Sequence, residues 1–251
     1  MVMGKIQTLD NFLGGKLRIY QFKEGYRAGH DSVLLASSIK AREGDLCLEL
    51  GFGTGVVSLC LAKRVPNIKI IGFENDSEML KISKKNIKLN NFNKSIKVFN
   101  IDVEEKIENS KFLERHSFDH VYANPPYFIE ENFSQPINKN KRAANIGSKK
   151  TIEKWLKKAL TFSKSGGTIT FINHIQNLPE LLFLFSKKLG DIKITPIFSK
   201  KGKKASRVLI SGVRDSKKPL VYNEGIVFTN RDNKIPKKID KLLRDGIGFN
   251  Q

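Results

Sequence analysis

The chain is 251 residues long, room for one large α/β domain or two small ones and for a sizeable core. Its 45 Lys and Arg against 25 Asp and Glu leave a net charge of +20. That excess points to a polyanionic partner such as nucleic acid, although a Lys-rich genome would produce the same balance. No apolar run reaches the ~18 residues of a membrane span, and residues 1–13 lack the basic-then-apolar order of a signal peptide. Cys47 and Cys60 sit inside apolar segments, as buried reduced thiols would, and no Cys/His cluster has metal-ligand spacing. The expectation is a cytoplasmic monomer that needs neither membrane nor metal.

Residues 1–45 open the chain. Leu13 to Gln21 is a glycine turn leading into an alternating run, which reads as a short hairpin. Gly25-Tyr-Arg-Ala-Gly-His-Asp-Ser32 then leads into a helical stretch, Val33 to Ile39, which Asp31 or Ser32 would cap. From Asp45 the pattern alternates. Leu46 to Leu50 is a buried strand, Gly51-Phe-Gly-Thr-Gly55 a tight turn, and Val56 to Arg64 a helix. Ile68 to Phe73 is a strand closing at Glu74, and Ser77 to Asn90 an amphipathic helix with Met79, Leu80, Ile82, Ile87 and Leu89 on its apolar face. Ile96 to Phe99 is a strand ending near Asp102, and Phe118 to Ala123 another. Ile152 to Phe162 is helical, Gly166-Gly167 a turn, Thr168 to Ile172 a strand, and Leu178 to Leu189 a helix. Ile192 to Phe198 and Arg207 to Val213 are late strands around the basic turn Lys200 to Lys204. Strands alternating with helices imply a largely parallel sheet covered on both faces, with ligands outside the carboxyl ends of its strands.

The motifs fall at those ends. Gly51, Gly53 and Gly55 allow positive φ and close approach of backbone to a ligand. Their spacing departs from the dinucleotide fingerprint, and Glu49 just before them suits an ammonium group better than a pyrophosphate. Glu74, at the end of the next strand, is placed to bind a ribose diol; the bland reading is a loop acid ahead of a helix capped by Asp76 or Ser77. Asp102 is an acceptor for an adenine amine, or a surface acid. Asn124-Pro125-Pro126-Tyr127 closes the following strand. Neither proline has a backbone N–H, and each forces extended geometry on the residue before it. Asn124 can both accept and donate, and Tyr127 offers a flat ring. The set suits a planar amine, while for a bare Pro-Pro pair a sharp turn is the simpler account.

This order of Glu-Leu-Gly-Phe-Gly-Thr-Gly, an acid on the second strand and Asn-Pro-Pro-Tyr on the fourth resembles the class I S-adenosylmethionine-dependent methyltransferases that modify an amine or amide nitrogen. Asp10-Asn-Phe-Leu-Gly-Gly-Lys-Leu, Gly25 to Ala36, and Lys203-Lys-Ala-Ser-Arg-Val-Leu209 are similar to segments of the bacterial tRNA(1)(Val) adenine-37 N6-methyltransferases, so the resemblance covers nearly the whole chain. It implies a Rossmann-like domain over 45–251, with a mostly parallel seven-stranded sheet and helices on both faces, and a packed N-terminal extension of hairpin and helix over 1–44. It implies S-adenosylmethionine held by Glu49, Gly51, Phe52, Gly53, Thr54, Gly55, Glu74, Asn75, Asp102, Val103 and Asn124, and methyl transfer to the N6 of an adenine in tRNA at Asn124, Pro125, Pro126 and Tyr127. There Asn124 and the Pro125 carbonyl would accept the two amine hydrogens while Tyr127 stacks on the base.

Two rival functions stay open: a protein glutamine N5-methyltransferase, whose amide Asn-Pro-Pro-Tyr would serve equally well, and an RNA-binding protein without catalysis, which leaves Glu49, Glu74 and Asp102 unexplained. Other residues read as secondary. His30 is more simply a helix-start residue than a general base. Trp155, at helical spacing with Ile152 and Ala159, reads as core. Phe128 and Phe133 would line the pocket or stack on bases, and Arg142, Lys149, Lys150 and Lys200 to Lys204 are candidate phosphate contacts.

Overall fold

Alternation decides the first element. Gln7–Phe12 (β1) and Leu17–Phe22 (β2) pair antiparallel from Gln7↔Phe22 to Phe12↔Leu17, and the pleat turns Leu17, Ile19 and Gln21 inward at no more than 2% exposure. The computed structural model describes residues 6–105, 113–126 and 149–249. Tyr127, Phe128, Phe133 and Arg142 lie outside the described residues, as do the side chains of Lys149 and Lys150.

The first helix, His30–Ser38 (α1), begins earlier than its apolar pattern predicts, and neither Asp31 nor Ser32 caps it. Its N-cap is Gly29, with no side-chain bond. Asp31 instead accepts from Arg207 Nε at 3.0 Å, so a distant ion pair has taken the carboxylate that local sequence assigned to the cap.

The alternating core follows: Leu46–Leu50 (β3), Val56–Arg64 (α2), Lys69–Glu74 (β4), Ser77–Leu89 (α3), Ile96–Asn100 (β5) and Phe118–Ala123 (β6). Asp76 is the cap of α3, accepting from the backbone of Glu78 at 2.8 Å and Met79 at 3.0 Å. Then come Lys149–Phe162 (α4), Ser163–His174 (β7), Leu178–Ser186 (α5), Leu189–Lys200 (β8) and Ala205–Arg214 (β9). The expected turn at Gly166-Gly167 is absorbed into β7 as an irregularity: Gly166 has φ +73°, and the register against β6 shifts between Phe118 and His120.

The strands lie in the order β8-β9-β7-β6-β3-β4-β5, with β9 antiparallel to both neighbours and the other pairs parallel. To these seven the C-terminal segment adds Val221–Tyr222 (β10) and Ile226–Thr229 (β11), both parallel to the outer side of β8, before Lys237–Asp245 (α6). Strands of two and four residues are too short to leave a periodic pattern, which is why the sequence shows seven strands and the sheet has nine.

Both faces are covered. One apolar cluster joins the hairpin, α1 and α2 to the sheet through Leu17, Ile19, Leu34, Leu59 and Ile70. The other packs α4 and α5 on the opposite face, where Phe162 meets Phe73 and Phe118 edge-on, and Phe171 meets Phe185 likewise. Cys47 and Cys60 are both free and buried. Among the described residues no helix is long and apolar enough to cross a membrane.

Candidate active site

From β3 the chain runs outward to β4 and β5, then returns to β6 on the other side of β3. The loops leaving β3 and β6 therefore diverge and open a crevice at the carboxyl ends of the strands. A cleft of about 470 Å³ lies there, and most of the predicted residues line it.

The glycine turn forms one wall. Phe52 N donates to Phe73 O at 2.8 Å, and Gly51, Gly53 and Gly55 have φ of +69°, +55° and +85°. A Cβ at Gly51 would lie 2.5 Å from the Trp155 ring, so only glycine lets the indole close over the turn. Phe52 is 2% exposed. Its ring drops beneath the turn onto Gly72, where a Cβ would lie 2.1 Å away. It thus shapes the floor more than it offers a face. Gly55 is the N-cap of α2 and does not line the cleft.

The acids follow in strand order. Glu49 is 3% exposed. It accepts from Ser58 Oγ, which also meets the Tyr122 hydroxyl at 2.8 Å, and burial pushes its carboxyl up to about 8. Glu74 accepts from Gly53 N at 2.6 Å and Asp76 N at 2.9 Å, which ties β4 to the glycine turn; burial raises its pKa too. Asn75 Nδ2 donates to Asp102 Oδ2 at 2.9 Å, and Asp102 Oδ1 accepts from Glu104 N at 2.7 Å. Val103, 5% exposed, lines the cleft beside them.

Asn124 stands where β6 ends. Its Nδ2 donates to the Tyr26 hydroxyl at 3.1 Å, while its Oδ1 is buried and, among the described residues, has no partner. Pro125 is buried and Pro126 lines the cleft; Tyr127 is outside the described residues. Two further cleft residues carry buried polar atoms that have no partner among the described residues, Thr54 Oγ1 and Trp155 Nε1. Such atoms cost about 1–3 kcal/mol each when unpaired, so the three around this cleft leave polar groups for a ligand to satisfy.

Sequence reasoning missed two of these residues. Tyr26 lies in a segment singled out for its resemblance, yet nothing local assigns its hydroxyl a role. It is placed by its neighbours: Ala28 N donates to Gln21 Oε1 at 2.8 Å, and Arg27 donates to Phe22 O at 2.8 Å and pairs with Asp10. Trp155, read as core, is only 8% exposed but forms a wall of the cleft; helical spacing identifies a buried face and says nothing of what that face meets. His30 does not line the cleft, and its ring lies 5.1 Å from Phe228.

The sequence of residues 27–188 matches the methyltransferase small domain family. A tRNA1(Val) (adenine(37)-N6)-methyltransferase from Histophilus somni (strain 129Pt) is 27% identical over 239 residues, covering 94% of this chain and 96% of that protein. A protein of the same name from Haemophilus influenzae (strain ATCC 51907 / DSM 11121 / KW20 / Rd) is 25% identical over 238 residues, covering 94% of this chain and 98% of its own length. Among solved structures, a predicted O-methyltransferase from Agrobacterium tumefaciens superposes with a TM-score of 0.71 at 22% identity, over 87% of this chain and 97% of that one.

Proposed function

Because the chain belongs to the methyltransferase small domain family, which matches more than half of it, we propose that it transfers a methyl group from S-adenosylmethionine to the N6 of an adenine in tRNA. The single observation that carries this reading is Asn124: one side of its amide is anchored by Tyr26, and the other is a buried acceptor with no partner among the described residues. An exocyclic amine is one donor that such an acceptor can take.

The cleft fits the cofactor. Glu49 is a buried acid suited to an ammonium group, Glu74 ends β4 where a ribose diol would be bound, and Asp102 offers an acceptor to the adenine amine. Gly51, Gly53, Thr54, Asn75 and Val103 complete the walls, with Phe52 as floor. When bound, S-adenosylmethionine supplies a methyl carbon activated by a positively charged sulfur.

The chain's own groups then have two tasks. The first is to free the lone pair of the adenine amine, which is delocalised into the ring. Asn124 Oδ1 and the Pro125 carbonyl accept its two hydrogens, which favours pyramidal nitrogen and stabilises the positive charge that grows there. The second is alignment, a large effect in its own right; Tyr127, as the family resemblance implies, stacks on the base. No dedicated general base is needed, because the methylated, cationic nitrogen is strongly acidic and gives up its extra proton to water.

The two relatives named above are tRNA1(Val) adenine-37 enzymes by name, and we take adenine-37 of a valine tRNA as the target, modified in the cytoplasm by a monomer. The test is to incubate the protein with labelled cofactor and unmodified total tRNA and to digest the product. N6-methyladenosine should appear, and should be lost with Asn124→Ala. Label in glutamine amides of a protein substrate, with none in tRNA, would overturn the reading.

A further inference from the structure

A second cleft, of about 780 Å³, shares no lining residue with the first. One wall of it reaches the amino ends of the parallel strands. Both α1 and α2 run back from the carboxyl edge, and the cleft is walled by Ile39 and Lys40, just past α1, and by Arg64, the last residue of α2.

Its floor is one face of β7, β9 and β8. The opposite face of these strands is ordinary core, with Phe171, Ile210 and Ile194 no more than 3% exposed. On the cleft side Thr170, Ser211 and Lys193 stand abreast in register across the three strands, and all three line the cleft. Thr195 lies two residues along β8 from Lys193 and accepts from Asn223 Nδ2 at 3.0 Å. A polar row facing a cleft of this size is open to water and equally to the polar groups of a ligand.

Charge says what that is. The walls carry Lys40, Arg64 and Lys238 against one acid, Glu224. Arg64 donates to Ile39 O, and among the described residues it has no carboxylate partner. A forked guanidinium held by one backbone carbonyl keeps donors for an oxyanion. Lys193 is the exception, meeting Asp191 at 3.1 Å.

We propose that this second cleft binds a phosphate ester of about mononucleotide size, a volume usual for small-molecule sites. Arg64, with Lys40 and Lys238, takes the phosphate, and the Thr170–Ser211 row takes hydroxyl or ring polar groups. The inference is independent of methyl transfer: binding is read here, not methylation, so either can fail alone.

The test uses the full chain saturated with S-adenosylhomocysteine, which fills the first cleft, titrated with uridine 5′-monophosphate by calorimetry. One molecule binds per chain, Arg64→Gln weakens it by ~10-fold or more, and Lys238→Glu, on an exposed position of α6, by ~3-fold. Should Arg64→Gln fail to fold, Lys238→Glu decides alone. If tRNA displaces the nucleotide in an Arg64-dependent way, the occupant is a nucleotide of the substrate and the site stands. No binding up to ~10 mM, where a site of Kd ~1 mM would be filled, overturns the proposal. So does unchanged affinity in the folded variants, or competition with S-adenosylhomocysteine.

Discussion

Asn124 has half its amide committed and half waiting. That asymmetry predicts a graded response. Asn124→Ala removes the acceptor and should lower the single-turnover rate by ~100-fold or more, the range of losing one preorganised polar group in a transition state. Tyr26→Phe removes only the anchor, and should cost ~10-fold in rate with little change in cofactor affinity. Equal losses in both would mean that Tyr26 has a direct role. Glu49 makes a second prediction at this scale. Its folded value of about 8 lies above the ordinary 4.5, so the folded chain keeps a proton that the unfolded chain has released. Its stabilising effect is complete below 4.5 and is lost as pH rises through about 8. Melting of the cofactor-free protein should therefore show stability falling across that window, by up to ~1.4 kcal/mol per pH unit, and Glu49→Gln should flatten the slope. An ammonium beside Glu49 calls for the ionised form, so cofactor affinity should rise with pH up to about 8.

At the scale of elements, the question is what couples the opening hairpin to the glycine turn. Asn86 of α3 is fully buried. It accepts from Tyr20 N at 2.7 Å and donates to Tyr20 O at 3.0 Å and to Thr54 O at 2.9 Å. One side chain thus pairs with a strand of the hairpin as another strand would, and also holds the turn. We propose on this basis that residues 1–44 form an extension built onto the 45–251 domain. Asn86→Leu, leaving three backbone groups unpaired, should cost about 2–4 kcal/mol in denaturant melts and weaken cofactor binding with it. A second element-scale contact is Phe52 on Gly72. Gly72→Ala places a Cβ 2.1 Å from that ring, and should cost about 1–3 kcal/mol by overpacking. A smaller residue at 52 should restore part of that loss.

For the molecule as a whole, one part of the +20 charge can be placed relative to Asn124. Two antiparallel steps, β7 to β9 and β9 to β8, leave β8 parallel to β7, so the Lys200–Lys204 turn emerges on the same edge of the sheet as Asn124. Lys200 is tied to Asn233 at 2.6 Å, but Lys201, Lys203 and Lys204 are exposed. Changing Lys203 and Lys204 to Glu should weaken tRNA binding across all tRNA species and make its salt dependence shallower by about 1–2 in log–log slope, with cofactor affinity unchanged. An unaltered slope would place the RNA-binding charges elsewhere.

Much of this was legible in the chain itself. Strand and helix periods follow from local backbone geometry and from which side faces water, so β3 to β6 and their helices fall within a residue or two of the predicted bounds. Gly51 to Gly55 announces a positive-φ turn because no other residue type adopts one as cheaply, and Pro125-Pro126 announces carbonyl acceptors without N–H donors because proline has no N–H. Tertiary structure decided the rest. Tyr26 meets Asn124 across 98 residues, and Arg207 takes Asp31 from its cap across 176. The polar row Thr170–Ser211–Lys193 exists only once three strands lie side by side. Pairings of that range leave no period in the sequence, because the chain between the partners is free to vary; only packing brings them together and gives each side chain its use.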